Sequence, residues 1–193
     1  MIKKMSGPAI FMNSAIVLML IISTVCFWVY YGGYIESNII LWSGVTCFTI
    51  LYHFWLRIIM GNVTKLFKKK LSYNQWWFKE KSFEKKLYKN LKVKDWKKKI
   101  LTYNPELYDV KENSLEDIAN TTVKSELDHW INEIISLTTL SFAILWGKFW
   151  LFFITAVAAM LFDGQFIIVQ RYNRPRILSL IKRKEKQKDK AKV

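Results

Sequence analysis

Glu126 and His129 lie three residues apart in the run Ser125-Glu126-Leu127-Asp128-His129-Trp130-Ile131-Asn132-Glu133. On a helix that spacing puts both on one face. His129 is one of only two histidines in 193 residues. Imidazole titrates near neutrality, so His129 is the candidate general base. Glu126, one turn earlier, is placed to hold the imidazole tautomer or to stabilise its charged form. The same carboxylates also suit the positive end of a helix with no chemistry at all. A Glu-x-x-His pair occurs in di-iron bundles too, but those need two such motifs and further Glu on facing helices. One motif and two histidines point away from a metal site. No nucleophilic cysteine and no serine elbow stands out, so a covalent enzyme intermediate is not indicated.

A second group is Gln170-Arg171-Tyr172-Asn173-Arg174-Pro175-Arg176. Arginine presents a planar fork that grips phosphate or carboxylate at two points. Tyr172 and Asn173 add shorter, directional hydrogen bonds. Lysine would serve a purely topological role equally well, and the tail beyond uses mostly lysine. The choice of Arg here therefore favours recognition over plain charge flanking. His53 and Arg57, at i and i+4, sit in an apolar run, where ionisable groups are functional candidates by default. Arg57 could equally snorkel to the headgroups. Asp163 interrupts another apolar run and needs a partner there. Arg57, His53 or the arginine group could supply one.

These groups need elements to carry them. The chain is 52% hydrophobic, holds nine Trp and carries a net charge of +15. Soluble domains rarely combine these, whereas a membrane protein with basic cytoplasmic parts does. The apolar runs argue against a nucleic-acid binder despite a pI near 9.8. Four runs of roughly membrane length occur, at about 8–31, 39–60, 130–146 and 149–169. The first, after Lys3 and Lys4, is too long for a signal peptide and reads as a retained helix. Cys26 and Cys47 lie in apolar runs and read as small hydrophobes. The expected fold is all-α: one integral membrane domain of four transmembrane helices, with amphipathic interfacial helices on the cytoplasmic side. Lys and Arg flanks put both termini, the 61–129 segment and the basic tail 177–193 in the cytoplasm of a plasma-membrane protein.

Within 61–129, Trp76, Phe83, Leu87 and Leu91 fit a helical stripe among lysines, and Val93, Trp96 and Ile100 continue it. That pattern suits a helix lying in the membrane interface. It also suits a cationic wall for an anionic or lipid-linked substrate. Asn104-Pro105 should break the helix. Ser114 is the expected cap of the next one, which carries Leu115, Ile118, Thr122 and Glu126 on one side.

Four pieces taken together resemble a known family. They are the Arg-Tyr-Asn-Arg-Pro-Arg string at 171–176, Val93-Lys94-Asp95-Trp96-Lys97-Lys98-Lys99-Ile100-Leu101, Leu107-Tyr108-Asp109, and Glu126-Leu127-Asp128-His129-Trp130-Ile131. The family is that of glycosyl-4,4'-diaponeurosporenoate acyltransferase, named for the last step of staphylococcal carotenoid assembly. The resemblance implies a membrane acyltransferase that esterifies a fatty acyl chain onto a sugar hydroxyl of a glycolipid or glycosylated carotenoid. The implied co-substrate is an acyl thioester, on CoA or a carrier protein, with no bound cofactor and no metal. Its partners would be membrane lipid, the acyl donor and a glycosylated, lipid-like acceptor, with no nucleic acid. In that scheme Glu126 and His129 are catalytic. Arg171, Tyr172, Asn173, Arg174, Arg176, His53, Arg57 and Trp96 are the substrate-binding candidates. The competing expectation is a non-catalytic membrane protein that binds anionic lipid or scaffolds a partner enzyme.

Overall fold

In the computed structural model, which describes residues 7–100, 102 and 104–190, the regular structure is all helical, with no strand among the described residues. Lys3 and Lys4, Leu101 and Tyr103 of the expected motif and connector, and the last three residues of the expected tail lie outside them. Among the described residues seven α-helices follow one another: α1 Gly7–Tyr31, α2 Asn38–Phe67, α3 Glu84–Asn90, α4 Val93–Trp96, α5 Leu115–Thr138, α6 Phe142–Trp146 and α7 Phe149–Lys190.

α1 and α2 form a hairpin closed by Gly33, whose φ of 74° suits glycine, and by Ser37, whose side chain caps α2. The two helices approach closely at Gly44, where a Cβ would stand 3.0 Å from Cys26 Cβ. Small residues permit such approach between apolar helices. Ser114 caps α5 by accepting from the Asp117 amide at 3.0 Å, as its position in the sequence leads one to expect. Ile118, Thr122 and Glu126 then share the buried side of α5. The turn into α7 uses positive φ at both Gly147 and Lys148.

Among the described residues, three helices are long and apolar enough to cross a membrane: Ala9–Tyr31, Asn38–Lys70 and Phe149–Lys190. The expected third span, 130–146, is not a separate apolar helix. It is shared between the end of α5, a 3-10 turn at Thr139–Ser141 and α6. The reason is composition: Asn132, Glu133, Ser136 and Thr139 are all buried there, and these polar side chains lower the apolarity of the run. This stretch nevertheless traverses the bundle. Trp146 Nε1 donates to the Tyr31 hydroxyl at 3.0 Å, and the Trp146 ring stacks on Phe27 at 5.8 Å. Val45, Phe142 and Phe152 make the apolar core at this end.

The basic tail expected after residue 176 is, as far as Lys190, a continuation of α7. Lys, Arg, Glu and Gln are good helix formers, so nothing in the tail stops the helix. Pro175 inside it removes one helical bond, the one to the Arg171 carbonyl. The expected helical stripe from Trp76 to Ile100 is instead broken into a 3-10 turn at Trp76–Phe78, α3, α4 and a 3-10 turn at Lys97–Lys99. Lys92 has a left-handed backbone between α3 and α4. Trp76, Phe83, Leu87 and Leu91 still share a fate: all are exposed.

Candidate functional site

α5 and α7 pack side by side, and their facing stripes carry most of the buried charges among the described residues. These fall into two layers. In the first, Glu126 is wholly buried (0% exposed) and takes a guanidinium on each oxygen. Arg171 donates to Oε1 and Arg174 to Oε2, both at 2.6 Å. Arg171 also reaches Glu84 of α3 at 2.5 and 2.9 Å. Its remaining donors go to the carbonyls of Trp77 and Lys79. Arg174, 1% exposed, donates to the Phe78 carbonyl at 2.8 Å and to the Thr122 hydroxyl and carbonyl. The carbonyls of residues 77–79 are thus drawn toward two guanidinium forks, which explains why no continuous helix forms across them. Tyr88 donates to Glu84 at 2.6 Å. Burial, and then the Glu84 carboxylate, push the Tyr88 phenol well above the usual range.

The second layer lies further along α5 and α7. Asp163, 1% exposed, accepts from Arg57 of α2 on Oδ2. On Oδ1 it meets His129 Nδ1 at 2.8 Å and Asn132 Nδ2 at 3.0 Å. The His129 ring stacks on Phe166, with centroids 4.6 Å apart. The imidazole is therefore fixed by a carboxylate on one nitrogen and by a ring on one face. Its side chain keeps 20% exposure, and Nδ1 is the nitrogen that the carboxylate occupies. An Asp–His pair of this form can take up and return a proton at Nε2, because the carboxylate sets the tautomer and stabilises the cation.

The structure rearranges the expected pairings. Glu126 does not orient His129; it clamps Arg171 and Arg174, and Asp163 takes the place beside the imidazole. Arg171 and Arg174 spend their donors on protein atoms, so they hold the 77–84 segment to α5 and α7. Of the three motif arginines only Arg176 is exposed; it lies over the Tyr172 ring at 4.1 Å and donates to its hydroxyl at 2.5 Å. Asn173 accepts from Lys97 at 2.7 Å, and Lys97 also lies 4.8 Å from the Tyr172 ring. Trp96 Nε1 donates to the Leu91 carbonyl, and its ring packs on the Tyr88–Val93–Val169 cluster. Arg57 joins the His129 layer through Asp163, and His53 is buried one turn before it on α2.

Glu84, Thr122, Asn132 and Glu133 were not among the expected site residues. One signal was available for the α5 members: Thr122, Glu126, His129 and Glu133 follow helical spacing, so one stripe carries both layers. Nothing in the sequence singled out Glu84 from the other acidic residues of a lysine-rich stretch. An apolar cavity of about 590 Å³ lies between α1 and α2, lined among others by Leu20, Phe27, Phe48, Tyr52, Trp55 and Ile59.

The clamp makes a separate prediction. Arg171→Lys removes the fork and cannot serve both carboxylates and two carbonyls at once. The expected loss is about 1–3 kcal/mol of stability, from buried acceptors left unsatisfied. Hydrogen exchange should show faster amides between Trp77 and Glu84, with little change in α1.

No curated protein and no solved structure matches the chain. A family model for glycosyl-4,4'-diaponeurosporenoate acyltransferase matches residues 74–183. The matched stretch contains Glu84, Glu126, His129, Asp163, Arg171 and Arg174, while His53 and Arg57 precede it. With more than half of its residues matched, the α5 and α7 members of both charged layers included, the chain belongs to the glycosyl-4,4'-diaponeurosporenoate acyltransferase family.

Proposed function

We propose that the protein is a membrane O-acyltransferase that moves a fatty acyl chain from a thioester to a sugar hydroxyl of a glycolipid or glycosylated carotenoid. The observation that carries this reading is the His129–Asp163 pair, held at 2.8 Å inside a bundle of the acyltransferase family. The acceptor hydroxyl gives its proton to His129 Nε2 as its oxygen attacks the acyl carbonyl carbon. The new C–O bond forms, the C–S bond breaks, and the departing thiolate takes the proton back from the imidazolium. Asp163, with Arg57 on its other oxygen, accepts from His129 Nδ1 and stabilises the imidazolium. The apolar cavity between α1 and α2 suits a fatty chain. Arg176 and Lys97, both against the Tyr172 ring, are cations placed to meet the phosphates of a thioester carrier.

In this reading the protein sits in the plasma membrane with both termini cytoplasmic. Lys68–Lys70, Lys97–Lys99 and the basic end of α7 flank the bundle at its Glu126 end, while the 32–37 turn holds no Lys or Arg. The exposed Trp76, with Lys81 3.7 Å from its ring centroid, favours a surface that rests on lipid headgroups. That feature also serves the second reading, a lipid-binding scaffold without chemistry.

Lipid mass spectrometry of cells with and without the protein separates the two. The transferase reading expects an acylated glycolipid that disappears on deletion. An unchanged lipid profile in cells that express the protein would leave the scaffold.

A further inference from the structure

The layer around Asp163 holds more polar side chains than the proton transfer needs. His53 on α2 is 8% exposed, and neither of its ring nitrogens has a hydrogen-bond partner among the described residues. Arg57, one turn on, is engaged through one terminal nitrogen, yet its Nε is buried and also without a partner. Glu133 of α5 is 9% exposed and feels the charges of both Asp163 and Arg57. Gly164 faces it from α7: a Cβ built there would have Glu133 Oε1 as its neighbour, 3.7 Å away. α2 therefore brings an imidazole and a guanidinium N–H, and α5 a carboxyl group, to the surroundings of Asp163 in an apolar bundle. Burying such groups without partners is costly. Positions that keep them are therefore candidates for ligand contact.

We infer that His53, the Arg57 Nε–H and Glu133 form the subsite for the neutral, hydroxylated head of the acceptor, and so position a sugar ring beside His129. This rests on the acyl-transfer reading for the identity of the acceptor. The chemistry of the groups selects the class of ligand. Neutral imidazole offers one donor and one acceptor, Glu133 offers acceptors, and Arg57 Nε offers a donor. Neighbouring hydroxyls of a sugar, each able to donate and accept, match that mixed set. A phosphate or carboxylate head would meet the carboxyl oxygens of Asp163 and Glu133. An amine head would face Arg57. The subsite therefore suits a sugar ring with no charged group beside the reacting hydroxyl. His53, Arg57 and Glu133 are positioning residues: they fix the hydroxyl, and His129 takes its proton.

The test uses the full chain in nanodiscs and radiolabelled n-octyl β-D-glucoside below its micelle concentration, with n-octanol as the probe that lacks the sugar. The wild type should bind the glucoside in preference to octanol. His53→Phe and the near-isosteric Glu133→Gln should each weaken glucoside binding about tenfold, the scale of one lost buried hydrogen bond, and leave octanol partitioning alone. No preference for the glucoside in the wild type would overturn the subsite, as would wild-type affinity in both variants. Adding an acyl thioester to the same samples separates the two ideas. Glucoside binding without ester formation removes the transferase and keeps the subsite. Ester formation with an unchanged acceptor KM in both variants removes the subsite and keeps the transferase.

Discussion

His129→Ala should lower ester formation by about 100- to 10,000-fold, the range associated with loss of a positioned general base, while the protein still inserts and folds. The side chain keeps 20% exposure, and its loss removes only one of the partners of Asp163. Arg57 and Asn132 still satisfy that carboxylate, so the fold keeps its charge balance. Asp163→Asn should cost a comparable factor for a different reason. Asparagine fits the space but cannot stabilise an imidazolium, and the equivalent change in a Ser-His-Asp triad lowers kcat by about 10,000-fold. It also strips Arg57 of its counter-charge, so Asp163→Asn should lose stability where His129→Ala does not. Initial rates in nanodiscs, alongside unfolding of the same samples, check both parts. Wild-type rates in His129→Ala would discard the base assignment.

Glu126→Ala should be the most destabilising single change, by about 3–5 kcal/mol, because it leaves buried charge without its counter-charge. Arg174 is almost fully enclosed and pairs with no other carboxylate among the described residues, whereas Arg171 retains Glu84. Loss of Glu126 therefore falls mainly on Arg174 and on the Phe78 carbonyl that Arg174 holds. A change of both partners to apolar residues, Glu126→Leu with Arg174→Leu, should recover much of the loss, since well-packed apolar pairs can replace buried ion pairs. Unfolding of the three proteins in one detergent gives the comparison. If Glu126→Ala abolished transfer with unchanged stability, Glu126 would be acting on His129 after all, and not on the arginine clamp.

That contrast marks where the sequence was sufficient and where it was not. Helix positions were legible because α1 and α2 are long apolar runs, Ser114 is a strong cap, and Gly147-Lys148 is the short break between two apolar runs. The breaks within 76–100 were not, because they arise from side chains about ninety positions away: Arg171 and Arg174 draw off the carbonyls of Trp77, Phe78 and Lys79. Periodicity reports the local preference of a segment, and here a tertiary interaction overrides it. The site followed the same rule. Glu126 and His129 were visible by residue type and helical spacing, and Arg171 to Arg176 by their concentration of arginine. Their partners depend on how α5 packs against α7, which no spacing within one helix reveals. Glu126 and His129 share a helix face, yet each meets a different part of α7. Asp163 could be marked as a carboxylate in need of a partner, and Arg57 is the one it finds; its hold on His129 emerges only with the bundle.

The most direct measurement is a transfer assay on the purified protein in nanodiscs, with an acyl-CoA as donor and n-octyl β-D-glucoside as acceptor, read by mass spectrometry of the product. An O-acylated glucoside that forms with wild type and vanishes with His129→Ala is the predicted result. Ester that forms equally with both proteins, or no ester with wild type while the glucoside is bound, would contradict acyl transfer at the His129–Asp163 pair.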